Sequence, residues 1–293
     1  MLFAMAAPQL ACSRDSASDT AKTKGSSKGG GDDDESAPSK SKKQKKLSND
    51  DDEAKPKKKK SKKAADDDAP KKKERDPCDD ADAPTWKVVK AVGKAPTLDV
   101  SYPEFTSSCT EVAESLSAVF SKDAKRRRAA FEKDYADAKR DGSTFLDGFD
   151  YKFECIPTFV SARVVSVLCG ETAYTGGAHG GSSREGHTFV IEGTKLREVK
   201  LAELFDGTKA WKSKVARLAN GQVTKQRKQR ELDPVEDSKV EGALGPFALI
   251  KMGVVVYFDS YTLGPYAEGS FDATLSFDSL SGLLADDGPV SKM

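Results

Sequence analysis

The stretch DYKFECIPTFVSARVVSVLC, residues 150–169, decides the fold class. Val, Phe and Ile crowd the segments 150–156 (DYKFECI) and 158–169 (TFVSARVVSVLC), a composition that fits a pleated, half-buried surface and predicts strands. Cys155 and Cys169 stand 14 residues apart in these segments, as expected of partners across an antiparallel pair. On the N-terminal side, 86–92 (WKVVKAV) and 98–105 (LDVSYPEF) read as short strands separated by Gly93 to Thr97. A helix follows from about 109 to 140, ending at Gly142. Ser108-x-x-Glu111 reads as its capping box, and Val112, Leu116, Val119, Phe120, Ala124, Phe131 and Tyr135 recur at helical spacing. Arg126, Arg127 and Arg128 are expected on its solvated face.

On the C-terminal side, 187–192 (HTFVIE) and 196–200 (LREVK) predict a hairpin around Gly193-Thr194. A second helix is expected from about 209 to 230, burying Trp211, Val215, Leu218 and Ala219. Its polar end, Lys225 to Glu231, is expected to project or fray. Strands at 247–251, 253–259 and 270–277 close the pattern. Strands grouped around two helices, without regular βαβ alternation, predict an α+β fold: an antiparallel sheet packed with two main helices.

Composition separates this folded part from what precedes it. Of 48 Lys+Arg and 47 Asp+Glu, residues 1–84 hold 20 and 18, with Phe3 as their only aromatic residue. A segment this poor in apolar groups cannot offset its ordering entropy, so 13–84 is expected to be a long disordered charged tether. Acidic blocks (Asp32–Glu35, Asp50–Glu53, Asp66–Asp68) alternate in it with lysine blocks (Lys42–Lys46, Lys57–Lys63, Lys71–Lys73). They neutralise one another within a Debye length of about 8–10 Å, which argues against binding to nucleic acid. The nearly neutral folded part supplies no basic field either.

Residues 1–12, MLFAMAAPQLAC, read as the end of a lipoprotein-type signal. Cys12 would carry the lipid, giving a membrane anchor and a place in the bacterial cell envelope, periplasmic or attached to the outer membrane. The four remaining cysteines, Cys78, Cys109, Cys155 and Cys169, suit two disulfides in an exported protein, and three connectivities are open. The antiparallel reading pairs Cys155 with Cys169 and leaves Cys78 to staple the end of the tether to the first helix at Cys109. Four reduced cysteines in a cytoplasmic protein are the alternative.

Two segments carry identity. TAYTGGAHGGSSREGHTFVIEG (172–193) clusters glycines around one histidine, and MGVVVYFDSYTLGPYAEGS (252–270) is a strand followed by a Gly-Pro turn between tyrosines. Three motifs occur in order: Tyr174-Thr-Gly176-Gly177-Ala-His179-Gly, Leu201-x-x-Leu204-Phe205, and Val256-Tyr-Phe with Tyr261-x-x-Gly264-Pro-Tyr266-Ala-x-Gly269. Together they resemble an extracytoplasmic module shared by the ectodomain of RsiV anti-sigma factors and the N-terminal part of PdaC-type peptidoglycan deacetylases. The resemblance covers about 86–285, with 85–175 matching the first half of the module and 176–285 its second. It implies a stand-alone envelope lipoprotein whose module binds peptidoglycan or a glycan-cleaving enzyme such as lysozyme. The His-x-x-x-His metal motif, which the deacetylases carry with an Asp-Asp pair in an additional catalytic domain, does not occur here: the two histidines, His179 and His187, are eight residues apart.

The residues expected to contact ligand are His179, Gly176, Gly177, Tyr174, Tyr261, Tyr266, Asp259 and Glu268. His179 either fixes the glycine loop through backbone hydrogen bonds or faces a ligand, with acid–base work a third role. Tyr261 and Tyr266 either present aromatic area to sugar or protein, or close the end of the sheet. Asp259 and Glu268 could accept hydrogen bonds from sugar hydroxyls or pair with a basic partner. No G-x-S-x-G, P-loop or H-E-x-x-H motif occurs, so no catalytic residue, metal or cofactor is expected. A hydrolase or deacetylase-associated protein acting on peptidoglycan sugars through an unrecognised site is the second hypothesis. A cytoplasmic protein with a nucleic-acid-binding tail is the third.

Overall fold

The computed structural model describes residue 78 and residues 80–293. The expected signal with Cys12, and the tether as far as residue 77, lie outside the described residues. Six strands form one sheet in the order β1-β2-β3-β4-β5-β6. They are β1 (Thr85–Lys94), β2 (Thr97–Thr106), β3 (Asp150–Val160), β4 (Val164–Tyr174), β5 (Gly181–Glu192) and β6 (Lys195–Glu198). All pair antiparallel except β2 with β3, which run parallel because α1 (Thr110–Arg140) carries the chain back between them. A separate antiparallel sheet holds β7 (Phe247–Ile250), β8 (Gly253–Phe258) and β9 (Phe271–Ser276). Two further helices, α2 (Trp211–Gln229) and α3 (Asp237–Ala243), precede it. The fold is α+β, with a second sheet and one parallel pairing added to the antiparallel arrangement that the sequence suggests.

Alternation along the strands directs side chains to three packed layers of apolar contact. Tyr151, Phe153 and Cys155 of β3, with Val165, Val167 and Cys169 of β4, meet Val112, Leu116, Phe120 and Phe131 of α1. On the opposite face of the large sheet, Leu168 packs against Ala248, Val255 and Tyr257 of the small sheet. The other side of that small sheet, through Val254, Val256 and Phe258, covers Val215, Ala219 and Val223 of α2. The layers therefore run α1, large sheet, small sheet, α2. With both faces covered, β8 is buried at every residue, which is why GVVVYF is a continuous apolar run. Burying these side chains contributes about 25 cal/mol for each Å² of apolar surface removed from water.

Two devices let the sheets meet. A Cβ at Gly186 would lie 1.6 Å from the Phe247 carbonyl oxygen, so only glycine permits β5 to approach β7 there. Ser166, fully buried, shares a 2.9 Å hydrogen bond with the Thr188 hydroxyl and accepts the Leu249 N–H at 2.9 Å.

Cys155 and Cys169 lie directly opposite in the β3–β4 register and are disulfide-bonded, as are Cys78 and Cys109. Other local expectations need correction. The capping box at Ser108 and Glu111 does not form: α1 starts at Thr110 with Cys109 as its N-cap and no side-chain cap bond. The tie from Cys109 to Cys78, with the Cys109 N–H donated to the Ser107 hydroxyl at 3.2 Å, places the start one residue later. Val119 and Leu218 are exposed at their helix surfaces. The polar end of α2 stays helical to Gln229, because Arg227 is buried there and finds partners.

Candidate functional site

Two loops at one end of the sheets bring together the residues singled out in the sequence. The β4–β5 loop (175–180) carries His179, and the β8–β9 loop (259–270) carries Tyr261 and Tyr266. The His179 ring stacks on Tyr266 with centroids 3.8 Å apart and planes 16° from parallel. Tyr261 lies over the same pair, 5.6 Å from Tyr266 and 6.3 Å from His179. One tautomer satisfies both imidazole nitrogens: Nδ1–H donates to the Gly180 carbonyl at 3.0 Å, and Nε2 accepts from the Tyr261 hydroxyl at 3.3 Å. Each ring is thereby fixed in direction while its outer surface stays accessible. Tyr261 is 64% exposed.

The loops are shaped for this. Gly176 and Gly177 adopt φ of 96° and 98°, conformations open to glycine, and the Tyr174 hydroxyl donates to the Gly177 carbonyl at 2.9 Å. Tyr261 is one of two non-glycine residues with positive φ among the described residues, at 71°. A left-handed conformation in a bulky residue costs on the order of 1–3 kcal/mol and persists only where the surroundings hold it. The holding groups are identifiable. Arg227, 4% exposed, donates to Glu268 Oε2 at 2.7 Å, and Arg230 donates to the Glu268 and Ser270 carbonyls at 2.8 and 3.0 Å. Both guanidiniums lie over the Phe271 ring. A Cβ at Gly264 would lie 1.6 Å from Glu268 Oε2, so glycine lets that carboxylate reach Arg227. At the loop's other end Asp259 accepts the Arg184 backbone N–H at 2.9 Å and its Nε–H at 3.0 Å.

Asp259 and Glu268 therefore engage arginines of the fold and set the position of the tyrosines. Tyr174, Gly176 and Gly177 likewise shape the loop that presents His179. The sequence reading missed Phe145, 62% exposed and beside Gly176, because it stands in an irregular segment with no periodicity. It also missed the arginine clamp of α2, whose polar spelling hid its buried members.

A second charged cluster lies on the α1 side. Arg127 reaches Asp123 and Glu185 at 2.8 and 2.7 Å, contacts Glu171, and lies over the Phe153 ring. Burial raises the Asp123 pKa, but hydrogen bonds from Arg127 and Arg126 outweigh it and leave the carboxyl below its ordinary value. Burial, then a hydrogen bond to Glu171, pushes the Tyr151 hydroxyl far above the usual tyrosine range. Arg127 is thus an internal clamp rather than a solvated side chain, and its charge is consumed within the fold. Among the described residues, no group of three or more His, Cys, Asp or Glu side chains could hold a metal ion. No described helix is long and apolar enough to cross a membrane.

Residues 202–278 match the model of a protein family of unknown function, DUF3298. The matched span includes Tyr261, Tyr266 and the arginine clamp, and excludes the His179 loop. Two solved structures are similar to the chain. A DUF3298 family member from Bacteroides fragilis is 18% identical, with a TM-score of 0.46, over 72% of this chain and 94% of that one. A DUF3298 family protein from Pseudomonas aeruginosa is 16% identical, with a TM-score of 0.40, over 69% and 93%. No curated protein matches the chain.

Proposed function

We propose that this protein is a non-catalytic bacterial envelope lipoprotein, anchored through Cys12, whose module binds the glycan of peptidoglycan. The observation that carries the reading is Tyr261, exposed and held at a left-handed backbone angle against the His179–Tyr266 stack. Backbone strain of this kind gathers at binding sites. Rigid aromatic rings with polar tips suit the apolar faces and hydroxyls of pyranose sugars. Both nitrogens of His179 serve to orient the ring, which favours contact over proton transfer. The two disulfides suit an exported protein. The motif resemblance to RsiV-type and PdaC-type modules points to the same compartment.

A second reading, a glycan-cleaving enzyme such as lysozyme as the partner, draws support from Phe145. It widens the aromatic end toward the size a protein contact needs. The test is sedimentation of the oxidised full-length chain with purified peptidoglycan sacculi, alongside a lysozyme-binding arm. Saturable co-sedimentation is expected. Binding to lysozyme alone would replace the first reading by the second, and binding to neither would overturn both.

A further inference from the structure

An open groove of about 320 Å³ lies beside the aromatic cluster, on the face of β3 and β4 turned away from α1. Its floor is Ile156, Leu168 and Gly170, and its sides include Thr172, Ser182 and Asp259. Ile156 is 52% exposed, an apolar side chain left open on an otherwise polar strand face. Gly170 stands in register between Glu154 and Arg184, and a Cβ there would meet nothing within 4 Å. The missing side chain makes a trough rather than room for a neighbour.

Every charge lining the groove is paired. Lys152 bonds Glu154 at 3.0 Å, Arg184 bonds Asp259 at 3.0 Å, and Glu171 contacts Arg127. An apolar floor between hydroxyls and neutralised charges suits an uncharged ligand with apolar faces and many hydroxyls, which describes a pyranose ring better than a peptide or a lipid phosphate. Position adds the rest. Asp259 is two residues from Tyr261, and the Thr172–Ser182 pair closes the base of the loop that carries His179.

We infer that the groove is a second sugar subsite, so that the ligand is a linear chain of pyranose units running from Tyr261 into the Gly170 trough. This rests on the glycan-binding reading above and adds its length and direction.

The test is calorimetric titration of the oxidised full-length chain with β-1,4-linked N-acetylglucosamine oligomers, from disaccharide to hexasaccharide. Affinity should tighten with length by ~tenfold or more, equal to about 1.4 kcal/mol. Gly170→Val, which the open space and strand conformation admit, should erase that gain and leave the disaccharide affinity unchanged. Ile156→Glu should do the same and covers the case that the valine variant does not fold. Length dependence unchanged in a folded variant would overturn the groove and leave the aromatic site standing. Absence of binding to any oligomer by the unaltered chain would overturn both. Groove-dependent binding of a stem peptide in place of sugar would overturn the sugar assignment.

Discussion

Tyr261 concentrates the functional argument at the scale of one residue. Glycine would adopt its φ of 71° without steric cost, yet tyrosine stands there and points its ring outward. Replacing it by glycine removes the strain, removes some aromatic contact and adds unfolded-state entropy, so these effects oppose one another. Tyr261→Gly is therefore expected to change stability by no more than about 1 kcal/mol, while weakening binding to sacculi ~tenfold or more. Urea unfolding and sedimentation measure the two. A large loss of stability with binding intact would make Tyr261 a structural residue. Part of this was legible in the sequence, where the Gly-Pro turn flanked by tyrosines and the glycine-rich histidine loop both stood out. Their stacking on one another was not, because 82 residues separate His179 from Tyr261 and only the pairing of sheets brings them together.

Among the elements, the helices hold the surprises, and arginine is the reason. Arg127 of α1 and Arg227 of α2 both occur in strongly polar runs, where periodicity assigns them to solvent. Long aliphatic stems and planar guanidiniums let them be buried over Phe153 and Phe271 once carboxylates converge. For Arg127 the consequence can be measured. Arg127→Met leaves Asp123, Glu171 and Glu185 without their shared cation, and a loss of about 2–3 kcal/mol is expected near neutral pH. Asp123 has a depressed pKa in the folded state, so its contribution is present above its unfolded value and lost as pH falls through the lower folded one. The gap between wild type and variant should therefore narrow below about pH 4. Denaturation curves that stay equally separated down to pH 2 would contradict the clamp. Helix ends fared better than strand ends: α1 and α2 lie within two residues of the expected bounds, whereas β4 starts six residues after the expected 158 and β5 six before the expected 187. At the start of α1 the capping box alone failed: disulfide-bonded Cys109 is the N-cap in place of Ser108.

At the scale of the whole molecule, the sequence announced the α+β class and the antiparallel pair bearing Cys155 and Cys169. It did not announce that β7, β8 and β9 leave the first sheet to form a second one. Sheet membership is settled by contacts far apart in sequence, such as Gly186 against Phe247 and Ser166 against Leu249. Those contacts lay the small sheet across one part of the large one and leave the outer face of β3 and β4 open beside the aromatic loops. The binding reading and the groove thus depend on one packing arrangement. Its most direct test is amide chemical-shift mapping of the isotope-labelled, oxidised full-length chain during titration with a peptidoglycan-derived glycan hexamer. Saturating shifts should gather in residues 172–184 and 259–270 and along 152–156, with the outer surface of α1 unaffected. Shifts centred on α1, or none at all, would contradict the claim that this end of the molecule binds glycan.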